Sequence, residues 1–318
     1  MAISSSRNWF SWALEPSHTR GGLFLLVVVS PLLYVLGWIA VRRLHRPNKA
    51  RRRGGDLETM TLEEAYSIKT RIAEREFPMV FSAAVNFVFF KAEGVPSIAK
   101  LVARAAQRSS PADQKAPRKP RHGPSVAPAD LLGRPGAAET MAAIDRVNYI
   151  HSLYRPAGKM SDDDLLYVLS LFALEPIRWI DRFEWRRLTA EERCALATLW
   201  KALGEQLRIP FEKLPSCREG FRDALHWLAE LADWGRQYEQ RNREKSPESV
   251  FLAQKQLDAW LGGVPECLRR RARGLVAALI EPGHRQAMGI EPPSATAMFL
   301  VETAILVRKL VRRISAIS

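Results

Sequence analysis

Residues 161–180 read SDDDLLYVLSLFALEPIRWI, and this stretch decides the fold class. Ser161 with Asp164 three positions on forms a capping box, in which each side chain satisfies a backbone N–H of the other and a helix begins. The run that follows, Leu165 to Ile180, is apolar nearly all round. A helix without a polar stripe belongs deep in a core and needs other elements packed around it. The flanks supply them as helices. Residues 139–155 (ETMAAIDRVNYIHSLYR) place Met141, Ile144, Val147, Ile150 and His151 on overlapping faces, and Pro156 ends that helix. Thr189 with Glu192 makes a second capping box, opening a helix through Cys194 to Leu207. Further helices are expected at about 218–241, 247–262, 264–280 and 295–315.

Upstream, Leu62, Ala65, Ile68 and Ile72 recur at helical steps between Thr61 and Arg75. Residues 79–90 (MVFSAAVNFVFF) are too few to span a bilayer and read as a buried helix. Gly94 and Pro96 interrupt it before another helix at Ser97–Ala106. Alternating strand patterns and internal repeats are missing from the sequence. The expected fold is all-α, with one irregular Pro/Arg-rich insertion at 107–138 that has almost no apolar periodicity.

Residues 22–41 (GLFLLVVVSPLLYVLGWIAV) are twenty without a charge, enough to cross about 30 Å of hydrocarbon. Tyr34 and Trp38 lie towards one end, where amphipathic rings favour the interface. A cleavable signal would carry its basic residues before the apolar core. Here the cluster RRLHRPNKARRR (42–53) follows it. The positive-inside rule keeps that flank cytosolic. The expected organisation is a lumenal N-terminus (1–21), a transmembrane helix (22–41), a basic cytosolic tether (42–55) and a helical domain (56–318).

The formal charge of +14 first points to nucleic acid, but its location does not. Residues 1–55 carry +8 and residues 101–122 carry +5, which leaves +1 for the rest. A nucleic-acid-binding domain needs its charge on a folded face, so no nucleic-acid partner is expected. Cys194, Cys217 and Cys267 form no paired spacing, and buried, inert thiols in a reduced compartment are the expected reading.

The sequence contains no P-loop, GxGxxG, HExxH, GxSxG or metal-spaced Cys/His cluster. Of six histidines, His18, His45 and His122 fall in the tail, tether and insertion. His284 falls in EPGHRQAMG, read as an inter-helix turn, and His226 reads as an ordinary helix histidine. His151 lies on a well-formed amphipathic helix with Arg155 one turn later, so both share a face. An imidazole there serves either as a satisfied core histidine or as an axial ligand to haem iron. The arginine pairs with a haem propionate or with a buried carboxylate.

The stretch RVNYIHSLYRPAGKMSDDDLLYVLSLFALEPIRWIDRFEWRRLTAEERCALATLWKALGEQL (146–207) closely resembles the fungal ER-bound oxygenases of the mycophenolic-acid pathway type, the MpaB family, which share a catalytic domain with bacterial rubber oxygenases. Residues 74–101, 220–239 and 284–293 resemble the same family, so the likeness runs from about residue 62 to 293. The resemblance implies a globin-like, all-α domain enclosing haem b, on an endoplasmic reticulum membrane. The family's HxxxR pattern falls on His151, as proximal ligand of the haem iron, and on Arg155. The implied reaction is O₂-dependent cleavage of a carbon–carbon double bond in the prenyl chain of a secondary-metabolite intermediate. The implied partners are the membrane, a prenylated small molecule and O₂.

One departure stands out. The family's Asp-Thr pair on the distal side of the haem has no counterpart in 107–138, where Lys119, His122 and Ser125 fall, so no distal catalytic residue is assigned. The alternative consistent with that gap is a catalytically degenerate, membrane-tethered helical protein that binds a hydrophobic ligand or partner. The last helix, AMFLVETAILVRKLVRRISAIS, either rests on lipid or packs on the body with a solvated basic face.

Overall fold

The computed structural model describes residues 57–108 and 128–317. The proposed transmembrane helix, its lumenal tail and the basic tether lie outside the described residues, as do Lys119, His122 and Ser125. Among the described residues the chain is helical, without a strand. We number the helices α1 (Leu62–Thr70, continued by a π-turn at Arg71–Glu76), α2 (Pro78–Ala92), α3 (Pro96–Arg108), α4 (Pro128–Leu131), α5 (Ala138–Tyr154), α6 (Asp162–Phe183), α7 (Ala190–Gln206), α8 (Ala224–Asn242), α9 (Pro247–Leu261), α10 (Glu266–Leu279), α11 (Pro282–Ala287) and α12 (Ala295–Ile317).

Helix α6 is the axis of the core, as its uninterrupted apolar run requires. Leu166, Tyr167, Leu171, Ala173 and Ile180 are buried on different faces of it, with α2, α7 and α8 packed around them. Phe172 stacks on Trp200 of α7 and takes the edge of Phe89 from α2, with centroids 5.2 and 5.4 Å apart. Pro176 sits inside the helix and removes one donor from its ladder. Both expected capping boxes are present, at Ser161–Asp164 and Thr189–Glu192, and a third closes Thr61 with Glu64. Asp164 also accepts from Ser97 Oγ at 2.7 Å and Tyr238 Oη at 2.5 Å. One carboxylate thereby joins the starts of α3 and α6 to α8.

Close helix approach depends on two glycines. A Cβ on Gly204 would sit 2.6 Å from Leu169 Cδ2 and 2.9 Å from Phe211 Cζ, and one on Gly235 would sit 2.7 Å from Ser170 Oγ. Gly204→Ala gains up to ~1 kcal/mol in helix propensity but overpacks the core at a cost of about 1–3 kcal/mol. A lowered urea midpoint with unchanged slope is the expected result.

The expected helix at 218–241 begins only at Ala224, because a 3₁₀ turn at Pro215–Cys217 precedes it and Asp223 supplies the cap, accepting from the His226 N–H at 2.6 Å. The insertion is shorter than the composition implies. Helix α3 runs on to Arg108, Pro128–Leu131 is helical, and Leu131 and Leu132 pack against the main core. Of the three thiols only Cys194 is buried; Cys217 is half-buried and Cys267, in the first turn of α10, is exposed. Among the described residues no single helix is long and apolar enough to cross a membrane. Helices α2 and α3 pass that test only as a pair bent by 99°, and half of α2 is core.

Candidate functional site

His151 lies near the C-terminal end of α5, and what holds that end is the last turn of α7. Leu207 closes α7 in a Schellman motif: Ile209 N–H reaches Gly204 O at 3.0 Å and Arg208 N–H reaches Glu205 O at 3.0 Å. The αL position of that motif, usually glycine, is Arg208 with φ 54°. The carbonyls just beyond the helix then have no partner within it. Helix α5 reads them in order. Asn148 Nδ2 donates to Gln206 O at 3.0 Å and Arg155 Nη1 donates to Arg208 O at 3.1 Å, with His151 placed between them towards the Leu207 backbone. Spacings of three and four residues put all three on one face of α5.

Arg155 is further engaged by Asp162 at 2.5 Å, a carboxylate about half exposed. Its guanidinium therefore closes a local bridge between α5 and α6. His151 is half-buried, and burial first, then the charge of Arg155, pushes its pKa below the ordinary histidine value. The ring is neutral at pH 7. Its Nδ1 is buried and without a hydrogen-bond partner. An imidazole whose Nδ1 is buried and unpartnered has a free donor nitrogen of the kind found in a metal-bound histidine.

Beside this end of α5 opens a cavity of about 620 Å³, lined by Ser97, Lys100 and Arg104 of α3 and by Tyr154, Gly158 and Lys159. Its volume lies in the range of ligand pockets, roughly 300–1,000 Å³. Three cations at its wall suit an anionic group such as a propionate. Tyr154 follows His151 by three residues and lines the wall; His151 itself does not. The cations of the cavity suit the acidic groups of haem, whereas His151 lies outside its lining and Arg155 is turned to Asp162 and the Arg208 carbonyl.

A second constellation lies where α2, α6, α8 and α11 meet. Lys91 Nζ stands 3.0 Å from Glu175 Oε1 and 3.3 Å from Glu281 Oε1, and Arg178 Nη1 stands 2.8 Å from Glu175 Oε1. Arg243 pairs with Glu239 and approaches His284 Nδ1 at 3.4 Å. His284 is 2% exposed, with Nε2 3.6 Å from Glu239 Oε1 and Nδ1 3.5 Å from Glu281 Oε2. The approach is close enough that a Cβ on Gly283 would lie 2.0 Å from Arg243 Nη2. Glu239, Glu281 and His284 offer three ligand atoms within 4.8 Å of one another. The charges argue against an ion there. Lys91, Arg178 and Arg243 already balance Glu175, Glu239 and Glu281, and a divalent cation would leave a buried excess of positive charge. This is a closed network that locks α11 to the core.

The family described as ER-bound oxygenase mpaB/B′/rubber oxygenase, catalytic domain, matches residues 96–315. The ER-bound oxygenase mpaB′ of Penicillium brevicompactum is 33% identical over 259 residues, 80% of this chain and 60% of that protein. The ER-bound oxygenase mpaB of Penicillium roqueforti (strain FM164) is 34% identical over 256 residues, 77% of this chain and 80% of that protein. The mpaB of Penicillium brevicompactum is 36% identical over 205 residues, half of that protein. The chain belongs to this family.

Within this MpaB and rubber oxygenase member, the matched span holds α5, the α7 terminus and the wall of the cavity, whereas Lys91 of α2 lies before it. The reading of His284 as a turn residue is corrected: Pro282–Ala287 is helical and buries the ring. Of its partners only Glu281 is local; Glu239 and Arg243 stand 45 and 41 residues away. His226 keeps its bland role, pairing with Glu230 at 3.1 Å.

Burial lowers the His284 pKa, opposed by Glu281, while His284 and Lys91 hold the Glu281 carboxyl far below the usual carboxylate range. A depressed histidine leaves stability intact above its unfolded value of about 6.5 and removes it as pH falls below that. The apparent Tm should drop as pH falls below about 6.5 in the native chain, and less steeply in His284→Gln.

Proposed function

We propose that this chain is an oxygenase of the endoplasmic reticulum membrane, dependent on haem b, that cleaves a carbon–carbon double bond in the prenyl chain of a secondary metabolite using O₂. The names of the relatives, ER-bound oxygenases, support the reaction class and the compartment. The observation that carries the cofactor is the buried, unpartnered Nδ1 of a neutral His151 beside a cationic cavity. When bound, haem iron would supply the activation of O₂. The protein's part is to keep His151 neutral and oriented, to offer Lys100, Arg104 and Lys159 to acidic groups, and to line the remaining wall with apolar surface from Pro96 and Leu101. The proposed organisation remains a lumenal tail at 1–21, a transmembrane helix at 22–41, a tether at 42–55 and a catalytic domain at 56–318. A tether suits a substrate whose isoprenoid tail partitions into lipid.

Purified, detergent-solubilised protein reconstituted with haem should show a Soret band at one haem per chain. A chain that takes up no stoichiometric haem rules this reading out. In that event the second reading stands: a tethered helical protein without catalysis, favoured by the commitment of Arg155 to Asp162 and Arg208.

A further inference from the structure

Helix α12 is amphipathic in the wrong sense for a helix facing water. Phe299, Leu300, Leu306, Val307, Leu310 and Ile314 are each more than half exposed. Steps of seven, three and four residues align them on one face about 22 Å long, at 1.5 Å per residue. The charges turn inward instead. Arg308 Nη2 pairs with Glu184 at 2.6 Å, where Glu184 is buried just past the end of α6, and Arg312 is 5% exposed. The sequence allowed a helix packed on the body with its basic face solvated; the helix packs on the body with part of that basic face buried and its apolar face out.

We propose that this face is a second membrane contact, lying in the headgroup and acyl boundary of an anionic bilayer. Its chemistry selects lipid over water in two ways. The row is apolar apart from Thr303 at its middle, and burying it removes about 25 cal/mol of cost per Å². The cations that remain near its C-terminal end are half-buried Lys309 and exposed Arg313. The only acid on α12 is Glu302, which meets Arg182 at 3.4 Å. An apolar face flanked by cations complements anionic headgroups, each cation near such a surface contributing about 1 kcal/mol. The inference rests on the anchored reading only for bringing the domain near a bilayer. The contact would orient the domain, holding it down at a second point besides its tether.

The test uses the full chain in vesicles of phosphatidylcholine and phosphatidylserine that carry a phospholipid with a photoactivatable acyl chain. After irradiation, lipid adducts are mapped by mass spectrometry. Adducts on residues 295–317 are expected in addition to those on residues 22–41. Replacing both Leu306→Glu and Leu310→Glu should cut the α12 adducts at least about tenfold, leave those on 22–41 unchanged, and leave the thermal transition in place because both side chains point outward. Adducts on 22–41 with none on α12 overturn the proposal. So do, when the same vesicles are treated with a bifunctional cross-linker, copy-to-copy or internal cross-links through α12 without lipid adducts, which would assign the face to a second chain or to residues 22–41. Adducts on α12 with none on 22–41 support the contact and remove the anchor reading instead.

Discussion

His151→Ala is expected to abolish stoichiometric haem binding while lowering stability only slightly. The two consequences separate the two roles that the geometry allows. As a docking residue, His151 contributes at most one polar contact to the Leu207 backbone, worth about 1 kcal/mol net, while Asn148 and Arg155 hold the neighbouring carbonyls from either side. Helix α5 should therefore stay in place. As an axial donor, its loss should weaken haem binding by at least the 10–100-fold typical of a disturbed second shell, since the ligand itself is gone. Free imidazole added to the variant should restore the Soret band if the ring nitrogen is what was lost. Arg155→Ala makes the control: it breaks a pair with Asp162 and a bond to the Arg208 carbonyl, so the helix end should loosen with a smaller change in haem affinity. Equal haem uptake by the native chain and His151→Ala would move the ligand elsewhere.

The parts of the fold that were legible are those governed by neighbours in sequence. The two capping boxes need only residues three apart, and the burial of α6 needs only a run without a polar stripe, so both read directly. Element ends shifted where a local cap outside the periodic pattern took over, as Asp223 did for α8. The site was half legible. His151 and Arg155 stood out by spacing, but the Schellman turn at Leu207–Ile209 that engages them belongs to another helix, and its αL residue is an arginine rather than the glycine that marks such turns. His284 was illegible for a related reason: its neighbours Glu239, Arg243 and Lys91 converge only through the packing of α2, α8 and α11. The facing of α12 was equally hidden, because its basic residues lie beside its apolar ones on a helical projection and only Glu184 decides which side turns in.

Lys91→Met should be among the most damaging single substitutions in the described core, at about 3–5 kcal/mol, the range for removing one partner of a buried ion pair. Lys91 and Glu175 are both almost fully enclosed, with side chains 3% and 4% exposed. Without the ammonium, Glu175 keeps only Arg178, and Glu281 loses its contact to α2, so buried negative charge stands in excess. Methionine fills nearly the same volume, which excludes a cavity as the cause. A second substitution, Glu175→Leu, removes the stranded carboxylate and should recover part of the loss, because a well-packed apolar pair often equals or exceeds a buried ion pair. Arg178, already 42% exposed, can turn to solvent when its partner goes. Urea unfolding in detergent of the native chain, both single variants and the double gives the coupling. A double variant more stable than Lys91→Met identifies the stranded charge as the cost; a Lys91→Met midpoint equal to native would show that the network does not hold α2 against α11 at all.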